Sequence, residues 1–463
     1  MPPSSATTAG SAVHPDGLPV PRRYWAMAAI ALAITMSVLD STIVNVALPT
    51  IARDFRASAA TSIWIVNAYQ LAILMVLLPL SSLGEVIGYR RVSQTGLVVF
   101  TLASVGCAFA PTLLTLTLMR VVQGLGAAGI MSVSGALVRF TYPHRYLGRA
   151  VGINAFVVAT SAALGPTIAA GVLAVAHWRW LFGINVPLGI VTIVIAFYAL
   201  PENERTRRPL NFAGAALYAG TFGLLLSGLQ SFAHNEATAL ALLQIAGGVL
   251  LGWLLVQHEL PRSAPIIPFD LLRIRLFTLS LASSVCAFMA QMGALVSLPF
   301  EIQRLGHSAV QTGLLMTPWP LALALVAPVA GRLADRYAAG ILGGLGLLVV
   351  AAGLVLLAVL PAPGGASAFA WRMALCGAGF GLFQAPNNRT IMAAAPRARS
   401  GAAGGMLSAA RLTGQTMGAA GVAILFRAYG PGAPYLALLF AAVLALAGAV
   451  VSTVRLSATP ARS

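Results

Sequence analysis

Along this chain, apolar residues run in stretches of 18 or more, broken at short intervals by Pro, Gly and charged side chains. A helix of about 20 apolar residues spans the hydrocarbon core of a bilayer, so the length of the runs decides their meaning. Cutting the sequence at each polar or Pro/Gly interruption predicts roughly 14 spans, at 25–48, 61–83, 92–111, 113–138, 148–175, 179–200, 212–231, 237–257, 277–300, 309–331, 337–360, 367–391, 400–426 and 432–455. Residues 1–24 are rich in Pro, Ser, Ala and Gly without periodicity and are expected to form a disordered cytoplasmic tail. The run after Arg22 and Arg23 is far longer than a cleavable signal core of about 7–15 residues. The expectation is an all-α polytopic membrane protein with a six-helix half at 25–200, a linker with two inserted helices at 201–260, a second six-helix half at 261–455 and a tail at 456–463.

Composition sharpens this picture. Of 463 residues, 59% are hydrophobic and 8% charged, against about 25% charged in soluble domains. A net charge of +17 would suggest a nucleic-acid partner in a soluble chain, but the 28 basic residues, all Arg, fall on alternate loops. With the amino terminus inside, 20 lie on the cytoplasmic side and six outside, with Arg120 and Arg411 inside spans, which is the positive-inside pattern. The partner is therefore a lipid bilayer, with no nucleic acid, and both termini are expected in the cytoplasm. Cys107, Cys286 and Cys376 sit singly in apolar runs as packing residues, so neither a metal nor another cofactor is expected. No phosphate-binding loop or nucleophile elbow appears, which argues against an enzyme and for energy drawn from an ion gradient.

The loop from Ser81 to Arg91 and the loop from Gly331 to Tyr337 both place small residues and Leu, then a carboxylate (Glu85 or Asp335), then Arg at a tight inner turn. Such spacing suggests two homologous halves. Leu39 to Pro49 (LDSTIVNVALP), Glu85 to Arg91, Arg120 to Gly126 (RVVQGLG), Ala163 to Gly171, and Trp178 to Trp180 with Asn185 to Pro187 together resemble the motifs of the major facilitator superfamily, specifically its fourteen-helix drug:proton antiporter branch of EmrB-like and QacA-like exporters. The resemblance covers nearly the whole chain after residue 24. It departs at Ser81, Glu85 and Val86, where Gly, Asp and Arg are usual, and at Asn211, where Asp is frequent. It implies a secondary transporter of the bacterial inner membrane, a monomer exporting small amphipathic compounds (drugs, dyes, toxic cations) by proton antiport. A periplasmic adaptor and an outer-membrane channel are candidate partners. Export or uptake of one dedicated metabolite stays open as an alternative, and a non-transporting sensor or assembly subunit stands behind both.

Asp40 is the strongest candidate residue. Counted at 1.5 Å per residue from Trp25, it lies about 22 Å into the bilayer, where a charge costs about 2.5–3.5 kcal/mol. Ser37, Ser41 and Asn45 extend a polar stripe beside it. Arg120, roughly 10 Å below the outer end of its span, reaches a similar depth. A neighbouring cation favours the charged form of a carboxylate and burial the neutral form, so Asp40 and Arg120 are expected to couple protons, the alternative being a structural ion pair. Glu301, after Pro299, is either a second coupling acid or a solvated interfacial residue. Gly124, Gly165, Pro166, Gly171, Gly414 and Gly418 form small faces for close helix packing or a hinge, with Pro166 kinking its span.

Glu85, Gly88, Arg90 and Arg91, with Asp335, Arg332 and Arg336, are expected to make ion-pair clusters gating the inner surface. Central-cavity candidates are Asn45, Trp64, Asn67, Tyr69, Gln70, Gln123, Asn154, Phe156, Phe288, Gln291, Phe383 and Gln384, since aromatic walls with scattered amides suit amphipathic ligands. Arg411, about 16 Å along its span, either packs or gates substrate or protons. Topology gives the first test. Single cysteines at Ser4 and Asn203 should react with an impermeant maleimide in everted vesicles and not in intact cells; labelling from outside would overturn the fourteen-span count.

Overall fold

A computed structural model describes residues 17–143, 146–202, 210–233, 238–262, 265–359, 365–396 and 400–458. The long helices there are α1 (Arg22–Asp54), α2 (Trp64–Ile87), α3 (Tyr89–Ala108), α4 (Leu113–Thr141), α5 (Leu147–Val175), α6 (Asn185–Ala199), α7 (Phe212–Ala233), α8 (Thr238–Glu259), α9 (Arg275–Arg304), α10 (Pro318–Arg336), α11 (Ala339–Ala358), α12 (Ala366–Ala394), α13 (Ser400–Tyr429) and α14 (Ala433–Val454). Among the described residues, 12 stretches are long and apolar enough to cross a membrane. The two long helices outside that group are α3 and α13, whose Ser, Thr and Gln residues dilute their apolar runs. They occupy the third and thirteenth predicted spans.

Residues 17–24 of the expected amino-terminal tail are described, and part of that stretch is held by hydrogen bonds. Leu18 N bonds Thr141 O at 3.0 Å, and the Arg23 guanidinium donates to Leu18 O at 2.9 and 2.7 Å. Helix α1 then begins at Arg22, because Leu18 and Arg23 find partners in the bundle. Residues 1–16 and 459–463 of the expected tails, and 203–209 of the linker, lie outside the described residues.

Two six-helix halves follow the same plan. In the first, α3 packs on α4 and α6, α2 on α4, and α1 on α5 and α6; in the second, α11 packs on α12 and α14, α10 on α12, and α9 on α13 and α14. Matching glycines allow the closest crossings. A Cβ at Gly96 would stand 2.7 Å from Gly126 O in the α3/α4 pair, and one at Gly346 would stand 2.5 Å from Gly379 O in the α11/α12 pair. Helix contact that close needs small residues on both sides. The inserted helices α7 and α8 pair with each other, and α7 rests on α2 and α13, one helix from each half.

The two ends of the bundle differ. Arg22, at the start of α1, bonds Ala199 O at the end of α6, at 3.2 Å, and Arg455, after α14, bonds Ala339 O at the start of α11, at 2.6 Å; with successive long helices alternating in direction, the start of α1 and the end of α14 lie at one end, the terminal end. At the far end the halves are joined: Arg53 donates to Gln303 at 2.9 Å, Thr167 and Thr317 share a hydrogen bond of 2.8 Å, and one apolar cluster runs from Ile43–Ile51 and Trp178–Phe182 into Ala287–Ile302 and Ala419–Phe426. Toward the terminal end the apolar core splits. One cluster belongs to the first half, joined by Ala409, Leu412 and Met417 from α13 and by Phe222 and Leu226 from α7; another, around Phe277, Leu281 and Ile391, belongs to the second.

The small-residue positions sort by what they touch. A Cβ at Gly165 would overlap the Thr42 hydroxyl of α1, and one at Gly124 would stand 2.5 Å from Tyr69 O. Gly414 presses on Val285 O and Phe288 of α9, and Gly418 on Met289. Two expectations need correction. Helix α5 runs unbroken through Pro166 to Val175, and Gly171 is exposed with nothing within 4 Å of its Cβ position. Gly165→Leu should therefore lower the thermal midpoint of the detergent-solubilised protein by several degrees, corresponding to about 1–3 kcal/mol of overpacking, while Gly171→Leu should leave it unchanged. Equal effects of both would contradict this packing.

Candidate functional site

Helix α4 starts at a Thr112 cap, whose hydroxyl accepts from Thr115 N at 3.1 Å. Helical spacing then lays Leu116, Arg120, Gln123 and Ala127 on one buried face. The close approach at Gly124 draws α2 against this face, and Arg120 Nε donates to Ile65 O at 3.0 Å. Its Nη1 bonds both Asp40 Oδ2 of α1 and Gln123 Oε1, the latter at 2.7 Å. Asp40 Oδ1 accepts from Gln123 Nε2 at 2.9 Å and from Asn185 Nδ2 of α6 at 2.9 Å. Gln123 is held in turn by Ser104 of α3 at 2.9 Å. Asp40 and Arg120 are both fully buried, at 0% exposure, so each carboxylate oxygen needs a donor and each has one. The guanidinium lies 4.1 Å from the centre of the Tyr69 ring and 5.6 Å from that of Phe182. One node thus ties α1, α2, α3, α4 and α6 together.

Sequence reasoning paired Asp40 with Arg120 and missed the rest of the node. The stripe on α1 does not serve Asp40: Ser37 and Ser41 bond Ala33 O and Val38 O of their own helix at 3.0 and 2.6 Å, as helical hydroxyls commonly do. Asn45 likewise turns back to Ser41 O, at 3.3 Å. The neighbours come from α4 and α6, and Gln123, expected in the cavity, is one of them. Asn185, a lone amide at the start of an apolar helix, was the available signal.

The other candidates divide. Asn67 and Gln70 are buried with both side-chain polar atoms unpartnered, as is Asn45 Oδ1. Tyr69 donates its hydroxyl to Ser37 O at 2.9 Å. Phe288 meets Phe380 edge-on at 5.4 Å, and Phe380 meets Phe383 at 6.0 Å. Phe383 is buried beside Gly343 and Gly346 of α11 and so packs within the second half. Trp64, Asn154, Gln291, Gln384 and Arg411 are half-buried, while Phe156 is exposed. Glu301 joins Arg304, one turn along α9, at 2.6 Å, remote from Asp40.

The expected inner clusters are described only in part. Gly88, at φ +105°, reverses the chain between α2 and α3. That turn carries Arg90 to Glu202, at 3.0 Å, and to Phe197 O, away from Glu85. Glu85, Arg91, Arg332 and Arg336 are exposed, and the Asp335 side chain lies outside the described residues. Asn211, where Asp is frequent, donates to the buried Glu259 at 2.5 Å while its oxygen caps Gly214 N at 2.9 Å. An Asp there would set two carboxylates side by side.

Comparison with known proteins bears on the same architecture. The sequence profile described as Major Facilitator Superfamily matches residues 30–419 and, separately, 281–462. The chain is 51% identical over 454 residues to the uncharacterized transporter YebQ of Escherichia coli, covering 97% of this chain and 99% of that one. It is 30% identical to the riboflavin transporter RibZ of Clostridioides difficile, over 84% of this chain and 85% of that one. It is 32% identical to the multidrug resistance protein Stp of Mycobacterium tuberculosis, over 84% and 73% respectively.

The buried node predicts a stability pattern. Arg120→Gln strands the Asp40 carboxylate and should cost about 3–5 kcal/mol. Adding Asp40→Asn to that variant should recover part of the loss in thermal unfolding. A double variant less stable than Arg120→Gln alone would show that the two side chains do not act as a pair.

Proposed function

The chain belongs to the Major Facilitator Superfamily, and we propose that it exports small amphipathic organic compounds across a bacterial inner membrane in exchange for protons. It is a multi-pass membrane transporter with small-molecule substrates. The observation that carries the finer reading is the enclosed node of Asp40, Arg120, Gln123 and Asn185. A carboxylate so placed changes the contacts of α1, α4 and α6 whenever it gains or loses a proton. In its charged form it holds Arg120 against α1. Once protonated, it no longer balances the guanidinium, and the grip of α1 on α4 and α6 loosens.

With both termini in the cytoplasm, as the Arg distribution supports, the terminal end of the bundle is the inner end. The state described here is then sealed outside and parted inside, with Asp40 paired to Arg120. A cycle follows in which Asp40 takes a proton from the outer side when that side opens and gives it up inside as substrate is loaded. The multidrug resistance protein and the riboflavin transporter among the relatives support organic substrates of moderate size, and the two halves serve as the moving bodies. Glu301, paired with Arg304 at the far end, stays a candidate for proton entry. A monomer suffices for this cycle, and a periplasmic adaptor with an outer-membrane channel would extend it.

The coupling test uses everted vesicles and purified protein. Asp40→Asn keeps shape and amide contacts but fixes a neutral side chain, so downhill substrate exchange should survive. Accumulation against a gradient and substrate-induced proton release should fall to background, a loss of at least about tenfold. Uphill transport and proton release at wild-type levels in this variant would make Asp40 structural.

A further inference from the structure

The interior of the bundle carries a second cation. Arg411 lies roughly 16 Å along α13, and its Nε is buried without a partner. The ion pairs among the described residues engage Arg90, Arg120, Arg262 and Arg304, with two His contacts, and leave Arg411 out. It also makes no hydrogen bond to the described residues. Asp40 cannot balance it, since that carboxylate is occupied by Arg120, Gln123 and Asn185. The deep interior therefore holds one positive charge in excess. A cation without a counter-ion is costly inside a membrane-spanning bundle, and one retained at such depth calls for an anion from elsewhere.

Helical phase shows where that anion would sit. Helices α2 and α13 run antiparallel and touch where a Cβ at Gly405 would stand 3.0 Å from Leu78. Met75 of α2 meets Gly223 of the inserted hairpin, and Met406 of α13 packs in the cluster of Leu78, Tyr218 and Leu255 that includes it. Gln70 and Arg411 each stand five residues from these methionines, about 140° round their helices. Both point away from the hairpin, toward the interior between the halves. Measured from the contact of Leu78 with Gly405, they are about 12 and 9 Å toward the far end, so they share a level to within one turn. Tyr69, the neighbour of Gln70 along α2, turns its ring to Arg120. Gln70 is buried with neither polar atom satisfied, whereas Arg411 keeps partial exposure.

We propose that Arg411 and Gln70 form the polar end of the substrate site and that the substrate is an organic anion: a carboxylate, sulfonate or ionised phenol on an apolar body. This rests on the transporter reading and fixes the sign of charge that it left open. The guanidinium supplies the counter-charge in a forked donor pair. The carboxamide of Gln70 bonds the same head group, and the apolar body occupies the space between the halves. A cationic substrate would meet the unbalanced Arg411 and find no unoccupied acid at this level, contrary to the toxic cations expected from the sequence.

The test measures binding to the purified full-length protein at one pH without a gradient, by quenching of tryptophan fluorescence. Its failure is thus separable from a failure of proton coupling. The probes are 2-naphthoate, 2-naphthamide and 2-naphthyltrimethylammonium, which share a body and differ in charge. Naphthoate should bind at least about tenfold more tightly than the other two, as a charge-assisted contact requires. Arg411→Gln should remove that preference, Arg411→Lys should keep part of it, and Gln70→Leu should weaken naphthoate several-fold without reversing the order. The thermal midpoint of each variant, read alongside, shows whether it is folded. No binding of naphthoate, equal binding of all three probes, tighter binding of the ammonium, or unchanged naphthoate binding by folded Arg411→Gln would overturn the proposal.

Discussion

A carboxylate and a guanidinium without access to water impose the constraint on which the rest of this structure depends. Each ion alone would be untenable inside an apolar bundle, and the pair is held by hydrogen bonds to both carboxylate oxygens and to Nε and Nη1 of the guanidinium, while Nη2 has no hydrogen-bond partner. That requirement recruits Gln123 and Asn185 to Asp40, Ile65 O to Arg120 and Ser104 to Gln123. It also demands close helices, which the glycine crossings of α2, α3 and α4 supply. The first half is therefore organised around one polar node, and the packing small residues permit is what makes the node geometrically reachable.

The second half repeats the helix pairings but not this chemistry. Its buried basic group, Arg455, sits at the terminal end and bonds Asn387, Ser280 and the carbonyl of Ala339. Duplication preserved the way the helices cross, while the two halves surround their buried basic groups with different neighbours. In the proposed cycle, the first half responds to protons, and α13 of the second half presents Arg411 to the substrate. Tyr69 faces Arg120 and precedes Gln70 along α2.

The contacts between halves are asymmetric along the bundle axis. The far end is held by hydrogen bonds and a continuous apolar cluster, whereas the terminal end retains mainly the seam of α2 with α13, beside the inserted hairpin. Asn67 and Gln70 lie on α2, the helix that forms that seam, and have no polar partner in this state. Unsatisfied amides disfavour the arrangement that buries them. Their relief by water or substrate gives the closed arrangement a reason to open, at positions where the halves must part.

Much of this was legible in the residues. Apolar run length set the helix positions, because a bilayer leaves a helix of that length little alternative. The rise per residue placed Asp40 and Arg120 at one depth, and two opposite charges at one depth in hydrocarbon must meet. Local sequence could not say which amides complete the pair, because Gln123, Asn185 and the Ser37 stripe are all polar residues in apolar helices. The packing azimuth of each helix decides among them, and that is a property of the assembled bundle. The same cause separates Gly165, pressed on Thr42, from Gly171, which faces outward on the same helix. It sends Arg90 to Glu202 and leaves Arg411 without a carboxylate. Depth follows from counting along one helix and was determined by the sequence; direction depends on every neighbouring helix at once, and only the tertiary structure decided it.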